Sequence, residues 1–105
     1  MQSINAQELH QRLKSGENIL LIDVREPHER QWVHIGGILI PTKIILQYPN
    51  LVPKDRPVVF YCQKGIRSAI TIQRLQEKYE YTNLLNLTGG IDAWQASFPN
   101  YPWDL

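Results

Sequence analysis

Val58-Val59-Phe60-Tyr61-Cys62-Gln63-Lys64-Gly65-Ile66-Arg67-Ser68 is the stretch on which the reading of the fold turns. Its first four residues are β-branched or aromatic and predict a short buried strand. A glycine-bearing loop follows at once, and beyond it Ala69, Ile72, Leu75 and Tyr79 fall on one face of a helix. Cys62, the one cysteine of the 105 residues, stands where strand gives way to helix. A thiol at that junction faces the backbone N–H groups of the loop and the positive end of the helix. Both favour thiolate over thiol.

Outward from this stretch, short apolar runs alternate with helical patterns. Ile19 to Ile22 predicts a strand that delivers Asp23 at its end, Ile38 to Ile40 a second strand closed by Pro41, and Leu84 to Leu87 a fourth after Val58 to Tyr61. Asn5 and Glu8 resemble a capping box for a helix carrying Ala6, Leu9 and Leu13 and ending near Gly16. Pro27 suits the first turn of a short helix through about Val33, and Thr42 the cap of another that stops before Pro49. Gly36-Gly37, Pro53 to Pro57 and Thr88-Gly89-Gly90 are turns. Ile91 to Ser97 is the last helix, stopped by Pro99 and Pro102. This alternation predicts an α/β fold with right-handed crossovers and a mostly parallel sheet covered on both faces. Ligands in such sheets gather beyond the carboxyl ends of the strands, where Cys62 and Asp23 both stand.

The length suits one domain, residues 1–105, that buries about two thirds of its unfolded surface. A formal net charge of +1, with no basic block, argues against nucleic acid or an anionic membrane as partner. A single cysteine excludes an internal disulfide framework and a cysteine-based zinc site. Met1 to Asn5 lacks the order of a signal peptide, and no apolar run is long enough to span a bilayer. A cytoplasmic location is expected, and its reducing conditions suit a free thiol.

The loop reads as a chemical device. Gly65 lets successive N–H groups converge on the Cys62 sulfur, or on a second sulfur or oxyanion attached to it. Arg67 lies in the first turn of a helix, where a cation opposes the macrodipole. It is therefore expected either to meet an anionic substrate or to swing to a carboxylate of a neighbouring loop. Lys64 reads equally as a substrate contact or a solvated lysine. No histidine is placed in sequence as a base for Cys62. Activation by loop dipoles and Lys64 suits attack of the thiolate on a sulfur, with no proton to shuttle in the first step.

Four segments, in order and at matching spacing, resemble those of the rhodanese superfamily over nearly the whole chain. Leu21-Ile22-Asp23-Val24-Arg25-Glu26 looks like its L-I-D-V-R-E segment, and His34-Ile35-Gly36-Gly37 resembles G-H-I-P-G-A. Tyr61 to Ser68 is similar to the active loop Y-C-x-x-G-x-R-S, and Leu87 to Trp94 to L-x-G-G-I-x-A-W. The resemblance implies a three-layer α/β/α domain with about five strands in its sheet. It also implies a thiosulfate-type sulfurtransferase in which Cys62 accepts a sulfane sulfur as a persulfide and passes it to cyanide, a thiol or a protein. Gln63, Lys64, Gly65, Ile66 and Arg67 correspond to the family's anion-cradling loop. No metal and no organic cofactor is required for such chemistry. Val33, Gly36 and Ile38 depart from the family pattern at a turn, and Gln63 stands where many thiosulfate users carry Arg, which removes a positive charge at the mouth.

Rival readings share the loop. A carrier handing persulfide sulfur between proteins would load better from a protein persulfide than from thiosulfate. An arsenate reductase or phosphatase of the same fold needs five residues between Cys and Arg, whereas four stand between Cys62 and Arg67. An inactive regulatory module would usually lack the cysteine. Asp23 and Arg25 read as support for the site, since a strand-end carboxylate accepts N–H bonds and an adjacent Arg can brace loops. His34 reads as a satisfied turn histidine, and His10 and His28 as surface residues. Trp32 and Trp94 are expected in or near the core, and Trp103 over an edge of the domain.

Overall fold

A computed structural model describes residues 1–100. In chain order it contains β1 (Gln2–Ile4), α1 (Ala6–Lys14), β2 (Leu20–Asp23), α2 (Pro27–Trp32), β3 (Ile38–Leu39) and α3 (Thr42–Gln47). After one 3-10 turn at Pro49–Leu51 come β4 (Val58–Tyr61), α4 (Ile66–Lys78), β5 (Leu84–Leu87) and α5 (Gly90–Ser97). The five strands form one sheet in the order β1-β5-β4-β2-β3, and every neighbouring pair is parallel. The expected α/β sandwich is therefore present, with an entirely parallel sheet.

Strand alternation assigns the two faces. Val58 and Phe60 point with Ile22 and Leu84 toward Ile45 of α3 and Ile72 and Leu75 of α4. Val59 and Tyr61 point with Leu21 and Leu87 toward Leu9 of α1 and Ile91 and Trp94 of α5. β4 is buried on both faces along its whole length, as a central parallel strand requires. That burial makes the position after its last residue a rigid base for a reactive group.

Several expectations are corrected. The sheet has the five strands that the resemblance implied, and the apolar runs of the sequence missed only β1, whose one buried residue, Ile4, leaves no periodic pattern to read. Thr42 is the first residue of α3, behind Pro41, and its hydroxyl meets Thr71 Oγ1 at 2.7 Å. α4 stops at Lys78, so Tyr79 leaves the buried face, which is made of Ser68, Thr71, Ile72 and Leu75. Trp32 is 88 % exposed, because α2 buries none of its residues. His10 is half-buried and stacks on Phe98 with ring centres 4.1 Å apart. Trp94 is fully buried as expected, while Pro102 and Trp103 lie outside the described residues.

Candidate active site

Cys62 follows β4 directly and is 2 % exposed. Gly65, at φ +86°, turns the chain from the strand into α4. That turn brings Gly65 N to 3.2 Å and Ser68 N to 3.4 Å of Cys62 Sγ, with Ser68 Oγ also at 3.4 Å. Burial pushes the thiol upward, but the Ser68 hydroxyl and the backbone N–H groups of Ser68, Gly65 and Lys64 outweigh it and hold Cys62 below the usual thiol value. The convergence of N–H groups expected from the loop is thus present, and its net sense favours the thiolate.

The loop is clamped from outside. Ile91 N donates to Cys62 O and Asp92 N to Gln63 O, both at 3.0 Å, so the start of α5 grips the loop backbone. The approach is so close that a Cβ on Gly90 would lie 2.3 Å from Cys62 O. From β5, Asn86 Nδ2 donates to Gly65 O at 3.0 Å.

Asp23 and Arg25 brace the opposite side and do not touch the sulfur. Arg25 lies fully buried, with Nε and Nη2 each 3.0 Å from the Asp23 carboxylate and Nη2 2.6 Å from Val33 O. Its Nη1 reaches Gln63 Oε1 at 3.2 Å, which ties the β2 strand end to the active loop. Arg30 adds a second cation to Asp23 at 3.4 Å. His34 Nδ1 accepts from Gly36 N at 3.0 Å, so its proton sits on Nε2; burial and then the Arg30 charge hold it below the usual histidine value. Arg25 thus links Asp23 to the loop through Gln63, while the bond His34 makes is local to its own turn.

The cations at the mouth are already paired. Arg67 meets Glu29 of α2 through two parallel bonds of 2.8 Å, and this pairing holds Glu29 down at about 2. Of the two roles open to Arg67, the carboxylate partner is realised, supplied by a helix and not by a loop. Lys64 Nζ lies 3.4 Å from Asp92 of α5 and its side chain is 72 % exposed. Gln63 Nε2 donates to the same carboxylate at 2.5 Å, which with Lys64 holds Asp92 below the usual range. A shallow cleft of about 330 Å³ opens over the sulfur, lined by Glu29, Cys62, Gln63, Lys64, Ile66 and Arg67.

Glu29, Ser68, Asn86 and Asp92 were not among the candidate residues. Ser68 closes the active-loop motif and was within reach of the reading; the other three stand far off in sequence and carry no local signal. Among the described residues no three His, Cys, Asp or Glu side chains are grouped to hold a metal, and no helix is long and apolar enough to cross a membrane.

A family model described as a rhodanese-like domain matches residues 5–97. A sulfurtransferase of Allochromatium vinosum is 39 % identical over 92 residues, covering 87 % of this chain and 85 % of that protein. A probable adenylyltransferase/sulfurtransferase MoeZ of Mycobacterium tuberculosis is 41 % identical over 95 residues, 88 % of this chain but 24 % of that protein, so the chain spans about a quarter of that relative. A crystal structure of a rhodanese-like domain protein from Staphylococcus aureus superposes with a TM-score of 0.79 at 29 % identity, over 90 % of this chain and 91 % of that one.

Proposed function

This chain belongs to the rhodanese-like domain family, and on that footing we propose that it is a sulfurtransferase carrying a sulfane sulfur on Cys62 as a persulfide. The chain is read as one such domain, since among the described residues the first and last strands pair within one sheet. The observation that carries the reading is the convergence of Gly65 N, Ser68 N and Ser68 Oγ on Cys62 Sγ. Donors so placed stabilise the thiolate both as nucleophile and as leaving group.

In the first half-reaction the thiolate attacks the outer sulfur of thiosulfate or a similar donor. The new S–S bond forms on Sγ, the donor's own S–S bond breaks, and the electron pair leaves with sulfite from thiosulfate or with a thiolate from a persulfide. In the second, cyanide, a thiol or a protein acceptor attacks the outer sulfur and Cys62 departs as thiolate. The acceptor gains the sulfur, and no redox partner or cofactor is consumed. A phosphatase or arsenate reductase is disfavoured, because the short loop spends its N–H groups on the sulfur itself. A cytoplasmic setting fits a thiol that must stay reduced.

One observation favours a second reading of the donor. Both cations at the mouth are neutralised, Arg67 by Glu29 and Lys64 by Asp92. A dianion must displace those carboxylates, whereas a persulfide, with less charge, needs no second countercharge. Mass spectrometry of the intact protein decides between them. Incubation with thiosulfate or with a persulfide should add one sulfur, removable by cyanide, and Cys62→Ser should add none. Faster loading from the persulfide identifies a carrier; uptake by the serine variant overturns the Cys62 mechanism.

A further inference from the structure

We propose that Asn86 is a positioning residue for sulfur transfer: it holds the hydroxyl hydrogen of Ser68 while Cys62 Sγ is uncharged and yields it when Sγ is a thiolate. The proposal rests on the persulfide cycle above. It starts from a polar residue where the strand pattern asks for none. β5 reads Leu84-Leu85-Asn86-Leu87, and Asn86 is 8 % exposed on the α4 side of the sheet, in line with Leu84. A buried amide is costly unless its polar atoms are bonded, and here they are bonded only to the active loop and the start of α4.

The bonds fix which atom does what. Gly65 O can only accept, and it lies 3.0 Å from one end of the amide, so that end is Nδ2. The other end, Oδ1, then faces Ser68 Oγ at 2.5 Å and can only accept, so Ser68 is the donor there. Ser68 has one hydrogen, and its oxygen also lies 3.4 Å from Cys62 Sγ. The hydrogen cannot serve both. With Cys62 as thiol, S–H donates to Ser68 and Ser68 donates to Asn86. With Cys62 ionised, a charge-assisted bond to sulfur outbids the neutral one to the amide, and the hydroxyl rotates. In the persulfide the charge moves to the outer sulfur, and the hydrogen returns to Asn86. When the acceptor attacks, Sγ takes the charge back and the hydroxyl turns to it again. No proton leaves Ser68 at any stage; only the direction of its bond changes. Asn86 thus tempers the ionisation of Cys62 and holds a donor ready for the departing thiolate.

The charged groups around the sulfur are Arg67 of α4, Glu29 of α2 and Lys64 of the loop, with Asp92 of α5 and Arg25 beyond β2 reaching the loop through Gln63. All remain in the test variants. The experiment follows alkylation of Cys62, the only thiol, by iodoacetamide across pH in the parent, Asn86→Leu, Ser68→Ala and the double variant. Asn86→Leu matches its strand neighbours in shape class, and Asn86→Val, smaller and strand-favouring, serves if the leucine variant does not fold. Removing the rival acceptor leaves the Ser68 hydrogen to the sulfur. Alkylation on the acid side of the profile should then rise about fivefold and the midpoint move to lower pH. With Ser68→Ala in place the same substitution should change the rate by less than about twofold. An equal change with and without Ser68 makes Asn86 a mere tether of Gly65 and overturns the proposal, as does no change in either. Alkylation needs no sulfur donor. If the parent takes up no sulfur, the persulfide reading fails on its own while this comparison still judges Asn86.

Discussion

Replacing Glu29 by Gln releases Arg67 at the mouth of the cleft without changing the size of the side chain. In the parent, two parallel 2.8 Å bonds hold the guanidinium on α2, and the side chains of Arg67 and Glu29 are 46 % and 25 % exposed. A bidentate charged pair in a dry site is worth about 1.5–3 kcal/mol and an exposed one about 0.2–1 kcal/mol. With one partner almost half exposed, about 1 kcal/mol is the appropriate value after solvent screening. A thiosulfate dianion that recruits Arg67 must overcome that interaction, so its removal should tighten donor binding about fivefold. Glu29→Gln should therefore lower KM for thiosulfate about fivefold in a thiocyanate-forming assay and leave discharge of the loaded enzyme unchanged. The same loss should lower stability by about 1 kcal/mol, seen as a fall in Tm of about 4–8 °C. A KM that stays the same or rises, in a folded variant, shows that Arg67 does not meet the donor and that its pairing is purely structural.

Lys64→Ala should raise KM for thiosulfate about twofold to fivefold with kcat held, since its exposed pair with Asp92 opens readily; an unchanged KM marks Lys64 as a surface residue. Arg25→Met leaves the fully buried Asp23 with only the more distant Arg30 as countercharge, and chemical denaturation should show a loss of about 3–5 kcal/mol; a loss under about 1 kcal/mol refutes the bracing role. Stability should fall in two stages as acid is added. His34, held below the usual histidine value of 6.5, contributes stability above that pH which is lost as pH falls below it, because the unfolded chain takes the proton first. Glu29, at about 2 against 4.5, contributes about 1 kcal/mol above pH 4.5, lost as pH falls toward 2. In Glu29→Gln the lower stage should shrink in a pH series of denaturation curves while the upper one stays; shrinkage of the upper stage instead would contradict the assignment.

The α/β class, the place of Cys62 at a strand end and the loop after it were legible in the sequence because each rests on neighbours in the chain. Val58 to Tyr61 is too apolar for any place but the centre of a sheet, and it is buried on both faces. Gly65 marks the turn, and the first turn of α4 after it places Ser68 N on the sulfur only six residues from Cys62. The face of α1, read from Ala6, Leu9 and Leu13, followed from spacing alone. A cation in that first turn was visibly out of place, which called for an anionic partner without saying which.

Which alternative held was decided by the tertiary structure. Arg67 and Glu29 are 38 residues apart, as are Arg25 and Gln63, and no local pattern specifies which carboxylate or amide a long side chain will find across a cleft. β1 exists only because β5, more than eighty residues on, offers it an edge. Trp32 is apolar enough for a core, yet α2 packs no face against the sheet and leaves it in solvent. Asn86 looks like an error in a strand until Gly65 O and Ser68 Oγ are brought to its two ends. Secondary structure and nucleophile follow from short-range sterics, dipoles and hydrophobic spacing. The partners that set the charge at the mouth and the hydrogen bonds behind the sulfur depend on how parallel crossovers stack distant segments side by side.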